Sequence, residues 1–186
     1  MIRKTVWSGV CATLVGVIVG GPAAAAPAAP GTATVDVLGI SGSTCKPEST
    51  TVRPSADRSS VSLQWWLTAV PGSPDSCTVE VEIRCAQPTG TVRVASEFIG
   101  RVSLAPSAKA TIDVVTRFGA ESAPPSSVSF RGPQDWQAIE SEHSSPAPSS
   151  VSCAQPIRAS VTSTQSVTGP GEGNDLSTQV HTISVA

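Results

Sequence analysis

The sequence has few charged residues, and its basic residues do not outnumber the acidic ones. Lys and Arg number 12 against 14 Asp and Glu, and charged residues make up 14% of the chain. Removal of the N-terminal segment discussed below would take away Arg3 and Lys4, leaving 10 basic residues and a net charge of −4. Binding to nucleic acid or to an anionic membrane needs a basic patch. The composition therefore argues against both kinds of partner.

Long apolar runs are also missing after the first 25 residues. A helix that spans a membrane needs about 20 consecutive, mostly apolar residues. No later stretch approaches that length. We therefore predict that the chain has no membrane span.

The N-terminal segment has the three parts of a secretory signal peptide. Arg3 and Lys4 form a positive region, Val10–Gly20 is a short apolar run, and Ala23–Ala26 supplies small residues for cleavage. We predict a signal peptide over 1–25, a mobile Pro/Ala leader over 26–33 and a β domain over 34–186. The mature chain is expected to be secreted and extracellular, where disulfides persist.

Four cysteines follow the predicted cleavage site: Cys45, Cys77, Cys85 and Cys153. None forms a CxxC motif, which disfavours a metal site, and an even number in an exported chain indicates two disulfides. Cys77 and Cys85 delimit one alternating stretch and would lie roughly 26 Å apart along a strand, beyond the ~7 Å limit for a disulfide. Two pairings stay open, Cys45–Cys77 with Cys85–Cys153 or Cys45–Cys85 with Cys77–Cys153.

Helical periodicity is scarce, whereas alternation of apolar and polar residues is frequent. Val61–Ala69 is a clear half-buried strand, and Cys77–Ala86 and Thr91–Ile99 are predicted to form a hairpin through the turn Gln87–Gly90. Gln134–Ser141 fits either a helix or an irregular strand. About nine short strands at regular spacing predict an all-β fold, a single-domain antiparallel β-sandwich or jelly-roll.

Six short stretches, taken in order, resemble a family of secreted, disulfide-bonded bacterial and fungal proteins catalogued only as a domain of unknown function. The likeness runs from about Thr34 to the C terminus. The resemblance implies a secreted, disulfide-bonded β domain and supplies no catalytic residues. The stretches are Gly42–Cys45, Val61–Trp65, Ser76–Val79, Gly100–Leu104, Phe130–Pro133 and Ser152–Cys153.

One departure from the family's pattern concerns the cysteines. The family commonly ends in a cysteine, whereas this chain ends at Ala186 and carries Cys85 instead. If the family's late cysteine pairs with its terminal one, Cys85 takes the place of the missing partner of Cys153. The resemblance thus implies the bonds Cys45–Cys77 and Cys85–Cys153.

Histidines are too few to favour nucleophilic hydrolysis, which needs a base beside a Ser or Cys. His143 and His181 are the histidines of the chain and are predicted to lie at the surface. Gly39–Ser43 resembles a nucleophile elbow but lacks the final Gly and a strand–elbow–helix context. We predict no catalytic residues and no enzymatic activity.

Carboxylates offer the main alternative to that prediction. Glu80, Glu82 and Glu97 are expected on the outward face of the predicted hairpin, with Arg84 and Arg93 beside them. Opposite charges across strands explain such a face as a solvated surface. The alternative function is a polysaccharide hydrolase acting through a carboxylate pair such as Glu82 and Glu97.

No EF-hand spacing occurs in the sequence. Glu172, Asn174 and Asp175 lie in a Gly-rich segment and could offer oxygen ligands to calcium, but a plain turn explains them better. We therefore predict no metal site and no cofactor.

Two adjacent tryptophans are the residues most informative about binding. On a strand, Trp65 and Trp66 must point to opposite faces. Trp65 continues an apolar row and is predicted to lie in the core, whereas Trp66 shares its face with Gln64 and Thr68. The sequence favours a Trp66 that is covered by a loop. If it is exposed, Trp66, Gln64 and Thr68 would form a platform for a sugar ring or a protein side chain.

The sequence therefore predicts a secreted, non-enzymatic β domain that acts in extracellular binding or surface structure. Its partner would be an extracellular protein or carbohydrate of unknown identity. The alternatives are the hydrolase described above and a secreted inhibitor or effector that binds a protein partner.

Overall fold

The computed structural model describes residues 33–43, 45–170 and 173–186. The predicted signal peptide and all but the last residue of the predicted leader lie outside the described residues. Within them the chain forms eleven strands and one short 3-10 turn at Pro47–Ser49, with no α-helix. The strands are β1 (Thr34–Gly42), β2 (Thr51–Pro54), β3 (Ser60–Ala69), β4 (Asp75–Arg84), β5 (Arg93–Leu104), β6 (Lys109–Phe118), β7 (Glu121–Ser122), β8 (Ser126–Arg131), β9 (Gln134–Pro146), β10 (Ile157–Thr168) and β11 (Asp175–Val185).

The strands form two antiparallel sheets, here named sheet A and sheet B. Sheet A has the order β1-β4-β10-β6, with β7 and β8 both paired to β6. Sheet B has the order β2-β3-β11-β5-β9. The inner faces of both sheets contribute to one hydrophobic core. The all-β sandwich predicted from the sequence is confirmed.

Alternation along each strand separates the core from the two outer faces. On β3, residues 61, 63, 65, 67 and 69 are buried and their neighbours are half-buried or exposed. Trp65 is 4% exposed and lies in the core as predicted. On β5 the inward row includes Val94 and Phe98, and Val92 before the strand is buried as well. The period of two in the sequence therefore identified the inner faces correctly.

The predicted hairpin between β4 and β5 is wrong. β4 pairs with β1 and β10 in sheet A, whereas β5 pairs with β11 and β9 in sheet B. The connection between them therefore crosses from one sheet to the other. A strand with one buried face has the same alternation whether its successor pairs with it or packs opposite it, so the pattern could not distinguish the two arrangements.

The segment left open between helix and strand belongs to β9, a 13-residue edge strand of sheet B. It extends to Pro146, beyond the predicted segment Gln134–Ser141. Ile139, Ser141, His143 and Ser145 form its buried row. Of the two structures that the sequence allowed for this segment, the strand is therefore the one that forms.

Both disulfides have the pairing that the family resemblance implied. Cys45 is bonded to Cys77 and Cys85 to Cys153, with Cα separations of 5.6 and 5.5 Å. Cys77 lies near the start of β4 and Cys85 directly after its end. The first bond links β4 to the segment after β1, and the second links it to the loop before β10.

No helix long and apolar enough to cross a bilayer occurs among the described residues.

Candidate functional site

Trp66 projects from the outer face of sheet B and is 67% exposed. The prediction that a loop covers this residue is wrong. Parity directs Trp66 away from the core, and the outer face of sheet B carries no further layer of described structure over this position. Gln64 and Thr68 lie exposed on either side of it along β3. The three residues named from the sequence are thus placed together on an open surface.

A shallow, open hollow of about 360 Å³ lies beside the Trp66 indole. β2 supplies Thr51, which is opposite Gln64 in the sheet register. β11 supplies Gln179, which lies at an irregularity between the paired residues Thr178 and Val180. The full lining consists of Ser49, Thr51, Gln64, Trp65, Trp66, Gln179 and Val180.

The hollow is lined by neutral groups. Its lining combines the indoles of Trp65 and Trp66, two side-chain amides, two hydroxyl groups and a valine, without a charged side chain. Within the described chain, the side-chain amides of Gln64 and Gln179 make no hydrogen bond. An amide carries both donors and acceptors. The hollow can therefore offer apolar contact together with hydrogen-bond donors and acceptors. Sequence reasoning missed Gln179 and Thr51, because only strand pairing brings them to Trp66.

The carboxylates named from the sequence do not come together. Glu97 lies on the outer face of sheet B, whereas Glu80 and Glu82 lie on the outer face of sheet A. Glu82 forms an ion pair with Arg84, as expected for a solvated charged face. Arg93 instead donates a hydrogen bond to Ser144 Oγ at 2.9 Å, on sheet B. The Glu82–Glu97 pair of the hydrolase alternative is therefore separated by the thickness of the sandwich.

A different acidic cluster forms across β5 and β9. Glu97 of β5 is paired in register with Glu142 of β9. Ile99, two residues further along β5, is paired with Glu140. Partial desolvation, a hydrogen bond with Glu140 and the charges of Glu140 and Glu142 raise the pKa of Glu97. Sequence reasoning missed this cluster because it treated Gln134–Ser141 as ambiguous and so could not pair it with β5.

Both histidines are buried, so their predicted surface positions are wrong. His181 is fully buried on β11, where it stacks on Phe98 with ring centroids 4.1 Å apart and meets the edge of Trp65 at 5.4 Å. Neither of its ring nitrogens has a hydrogen-bond partner among the described residues. Burial, with a smaller effect of His143, lowers the pKa of His181 to about 3. This residue is a neutral part of the core.

His143 forms a Ser–His contact that the sequence did not reveal. Its Nδ1 lies 2.9 Å from Ser126 Oγ, at the side of the sandwich where β8 and β9 are edge strands of their sheets. Burial lowers the pKa of His143, and the charge of Asp113 partly opposes this. His143 is 2% exposed. A catalytic base must reach a substrate proton, so this burial favours a structural role.

The remaining sequence candidates have structural roles or lie outside the described residues. Gly39–Ser43 belongs to the end of β1 and the bend after it, with no helix following. Glu172 is not described, whereas Asn174 Oδ1 accepts a hydrogen bond from the Ala105 N–H at 2.6 Å. Among the described residues, no group of three or more His, Cys, Asp or Glu side chains could hold a metal ion.

Comparisons with known proteins add a family and a distant fold likeness. Residues 31–185 match the family model described as Domain of unknown function (DUF4360). None of the curated proteins matches the chain. Among solved structures, TmCBM61 in complex with β-1,4-galactotriose is similar with a TM-score of 0.30 and 14% identity, over 84% of this chain and 94% of that chain.

Proposed function

We propose that this chain, which belongs to the family described as Domain of unknown function (DUF4360), is an exported binding domain that takes a carbohydrate on the outer face of sheet B. The observation that carries the proposal is the 67% exposed Trp66 beside an uncharged hollow of about 360 Å³. Exposed aromatic rings bind sugar rings through their apolar faces, and a few polar groups orient the ligand.

The chemistry of the hollow favours a sugar over a protein partner. Gln64 and Gln179 offer unpaired amides to hydroxyl groups, which act as donors and acceptors like the amides themselves. A stable protein interface needs about 1,000 Å² of buried surface. The other exposed large apolar side chains, Leu38, Val52, Val70, Ile99 and Trp136, are spread over both sheets and the β3–β4 connection. A ligand of ring size matches the hollow better than a broad protein surface does.

Export and lack of enzymatic activity belong to the same proposal. The two disulfides and the signal-peptide pattern of residues 1–25 support an oxidising, extracellular location. Non-catalytic binding is supported by the neutral lining at Trp66, since glycoside hydrolysis usually needs two carboxylates beside the scissile bond.

The hydrolase alternative now involves the acidic cluster of Glu97, Glu140 and Glu142. The raised pKa of Glu97 is a property of catalytic acids as well as of crowded carboxylates. A screen for reducing ends released from polysaccharides distinguishes a hydrolase from a non-enzymatic binding domain. Turnover that Glu97→Gln abolishes would establish the hydrolase and overturn the non-enzymatic proposal.

The main test of the proposal is binding of the mature chain to an array of neutral oligosaccharides, followed by titration calorimetry. Trp66→Ala is expected to weaken binding at least about tenfold, because it removes the stacking surface. Its unfolding free energy should change by less than about 0.5 kcal/mol, since the side chain is exposed.

Leu38→Ala is the matched control, because Leu38 is an exposed apolar residue, 49% accessible, on β1 of sheet A. It should leave both affinity and stability unchanged. Binding that Trp66→Ala leaves intact, or an array that binds no oligosaccharide, would contradict the proposal.

A further inference from the structure

Trp136 occupies an irregular position on the edge strand of sheet B. β9 pairs Gln137 with Val102 and Gln134 with Leu104. Two residues of β9, Asp135 and Trp136, therefore stand opposite one residue of β5. This arrangement is a β-bulge, which redirects a side chain and interrupts pairing.

The backbone of Trp136 is strained. Its φ is +48°, in the left-handed region that bulky residues rarely adopt. The other non-glycine residues with positive φ, Arg58 and Ser107, lie in turns, whereas Trp136 lies within a strand. Such a conformation costs roughly 1–3 kcal/mol.

Burial of the side chain does not offset this cost, because the indole is 56% exposed. An exposed large aromatic ring is itself unfavourable in water. The chain thus holds Trp136 in an unfavourable backbone conformation and also leaves its ring in solvent. Strain of this kind concentrates at ligand-binding sites.

Trp66 and Trp136 lie on opposite sides of one cross-strand row of sheet B. The register aligns Thr68 with Ser177, Ser177 with Arg101, and Arg101 with Ala138. Trp66 is two residues before Thr68 on β3, and Trp136 is two residues before Ala138 on β9. Because these two strands run in opposite directions, the tryptophans are displaced to opposite sides of the row. Strand spacing and rise place their Cα atoms roughly 20 Å apart.

Polar residues occupy the row between the two tryptophans. Thr68 and Arg101 are exposed, and Arg101 forms no ion pair within the described chain. A ligand that contacts both indoles must cross this row diagonally. A disaccharide is too short to do so, whereas a linear chain of several sugars spans the distance.

We infer that Trp136 is a second contact for the ligand of Trp66, and that this ligand is a linear, neutral polysaccharide lying diagonally across sheet B. The inference rests on the proposed carbohydrate-binding function and adds the ligand's length and direction. Two contacts on one chain raise its affinity because the second forms intramolecularly.

The test uses cello-, chito- and β-1,4-galacto-oligosaccharides from disaccharide to hexasaccharide, titrated onto the mature chain. For the series that binds, affinity should rise by at least about tenfold from the shortest to the longest member. Trp136→Ala should abolish this rise and leave disaccharide affinity unchanged. Trp66→Ala should weaken binding at every length.

Two further variants separate binding from folding. Trp136→Gly removes the ring and accepts the left-handed backbone, so it should reproduce the binding loss with stability equal to or above that of the parent. Trp136→Phe keeps an aromatic ring and should retain most of the increase in affinity with oligosaccharide length.

The outcomes distinguish the two proposals. Affinity that is independent of length, or a length dependence unchanged by Trp136→Ala, overturns the extended site and leaves the Trp66 site standing. Failure of every oligosaccharide to bind overturns the carbohydrate-binding function and the extended site together.

Discussion

At the scale of single residues, two adjacent tryptophans show how parity separates structure from binding. Trp65 is 4% exposed and contacts His181 in the core, whereas Trp66 is 67% exposed on the outer face. The two residues have the same chemistry and neighbouring positions. Only the alternation of a strand assigns one to packing and the other to the solvent surface.

The buried His181 makes the stability of the fold depend on pH. The pKa of His181 is lowered from 6.5 to about 3 by burial. Between these values the unfolded chain binds a proton that the folded protein excludes. Protonation of His181 therefore does not reduce the free energy of unfolding above about pH 6.5. The free energy of unfolding falls as the pH is lowered from about 6.5 to about 3. The loss is on the order of 3–5 kcal/mol.

His181→Phe tests this pH dependence, because it keeps an aromatic ring against Phe98 and removes the titrating group. Urea unfolding at about pH 4.5 and about pH 7.5 should show a smaller pH-dependent difference for the variant than for the parent. His143 has a pKa lowered in the same direction and stays as a common background in both proteins. Equal pH dependence in the two proteins would show that His181 does not carry the effect.

At the scale of elements, the contact between β5 and β11 depends on a glycine. A Cβ at Gly100 would collide with the carbonyl oxygen of Ser177 and lie 2.8 Å from Thr178 Cα. Thr178 is opposite Gly100 in the register and adjoins the irregularity that brings Gln179 to the Trp66 hollow. The close approach of the two backbones at this point leaves no room for a side chain.

Gly100→Ala is therefore expected to lower the unfolding free energy by about 1–3 kcal/mol, since β11 must move away from β5. Gly90→Ala is the matched control, because no atom lies within 4 Å of a Cβ at that position. Denaturant unfolding of both variants measures the difference. Equal stability of the two variants would contradict the close packing of β5 on β11.

Glycines of this kind also explain part of the family resemblance. Gly42 and Gly132 share the restriction, since a Cβ at Gly42 would collide with the carbonyl oxygen of Ser76 and one at Gly132 with that of Ala105. Gly42, Gly100 and Gly132 all lie in stretches that carry the likeness. Three of the six stretches thus include a glycine at a point where two backbones touch and leave no room for a side chain.

At the scale of the whole molecule, the covalent links and the proposed binding surface lie on different sheets. Both disulfides involve β4 or the residue after it, and they connect it to the segment after β1 and to the loop before β10, the two strands that pair with β4 in sheet A. The Trp66 hollow is built from β2, β3 and β11 of sheet B, together with the turn before β2. Stability and binding should therefore respond separately to loss of the Cys85–Cys153 bond.

Replacement of Cys85 and Cys153 by Ser is expected to lower the unfolding free energy by roughly 4 kcal/mol, because the bond closes a long loop. Oligosaccharide affinity, measured well below the unfolding transition, should equal that of the parent. Peptide mapping of unreduced secreted protein should recover the Cys45–Cys77 and Cys85–Cys153 links. More than one free thiol per mature chain would contradict the two-disulfide structure.

The sequence by itself determined the local properties of this protein. A period of two assigns each strand residue to an inner or outer face, so the all-β class, the core position of Trp65 and the outward direction of Trp66 could be predicted. The strand separation of Cys77 and Cys85 excluded their bond, and the family resemblance then indicated the pairing that the structure has.

Tertiary structure alone decided which strands are neighbours and what covers each face. The β4–β5 hairpin was wrong because hairpin partners and strands of opposed sheets have the same alternation. The burial of His181, the approach of Gln179 to Trp66 and the open surface above Trp66 all depend on pairings between strands distant in the sequence. Alternation tells which way a side chain points, but only the packing of remote segments determines what it meets there.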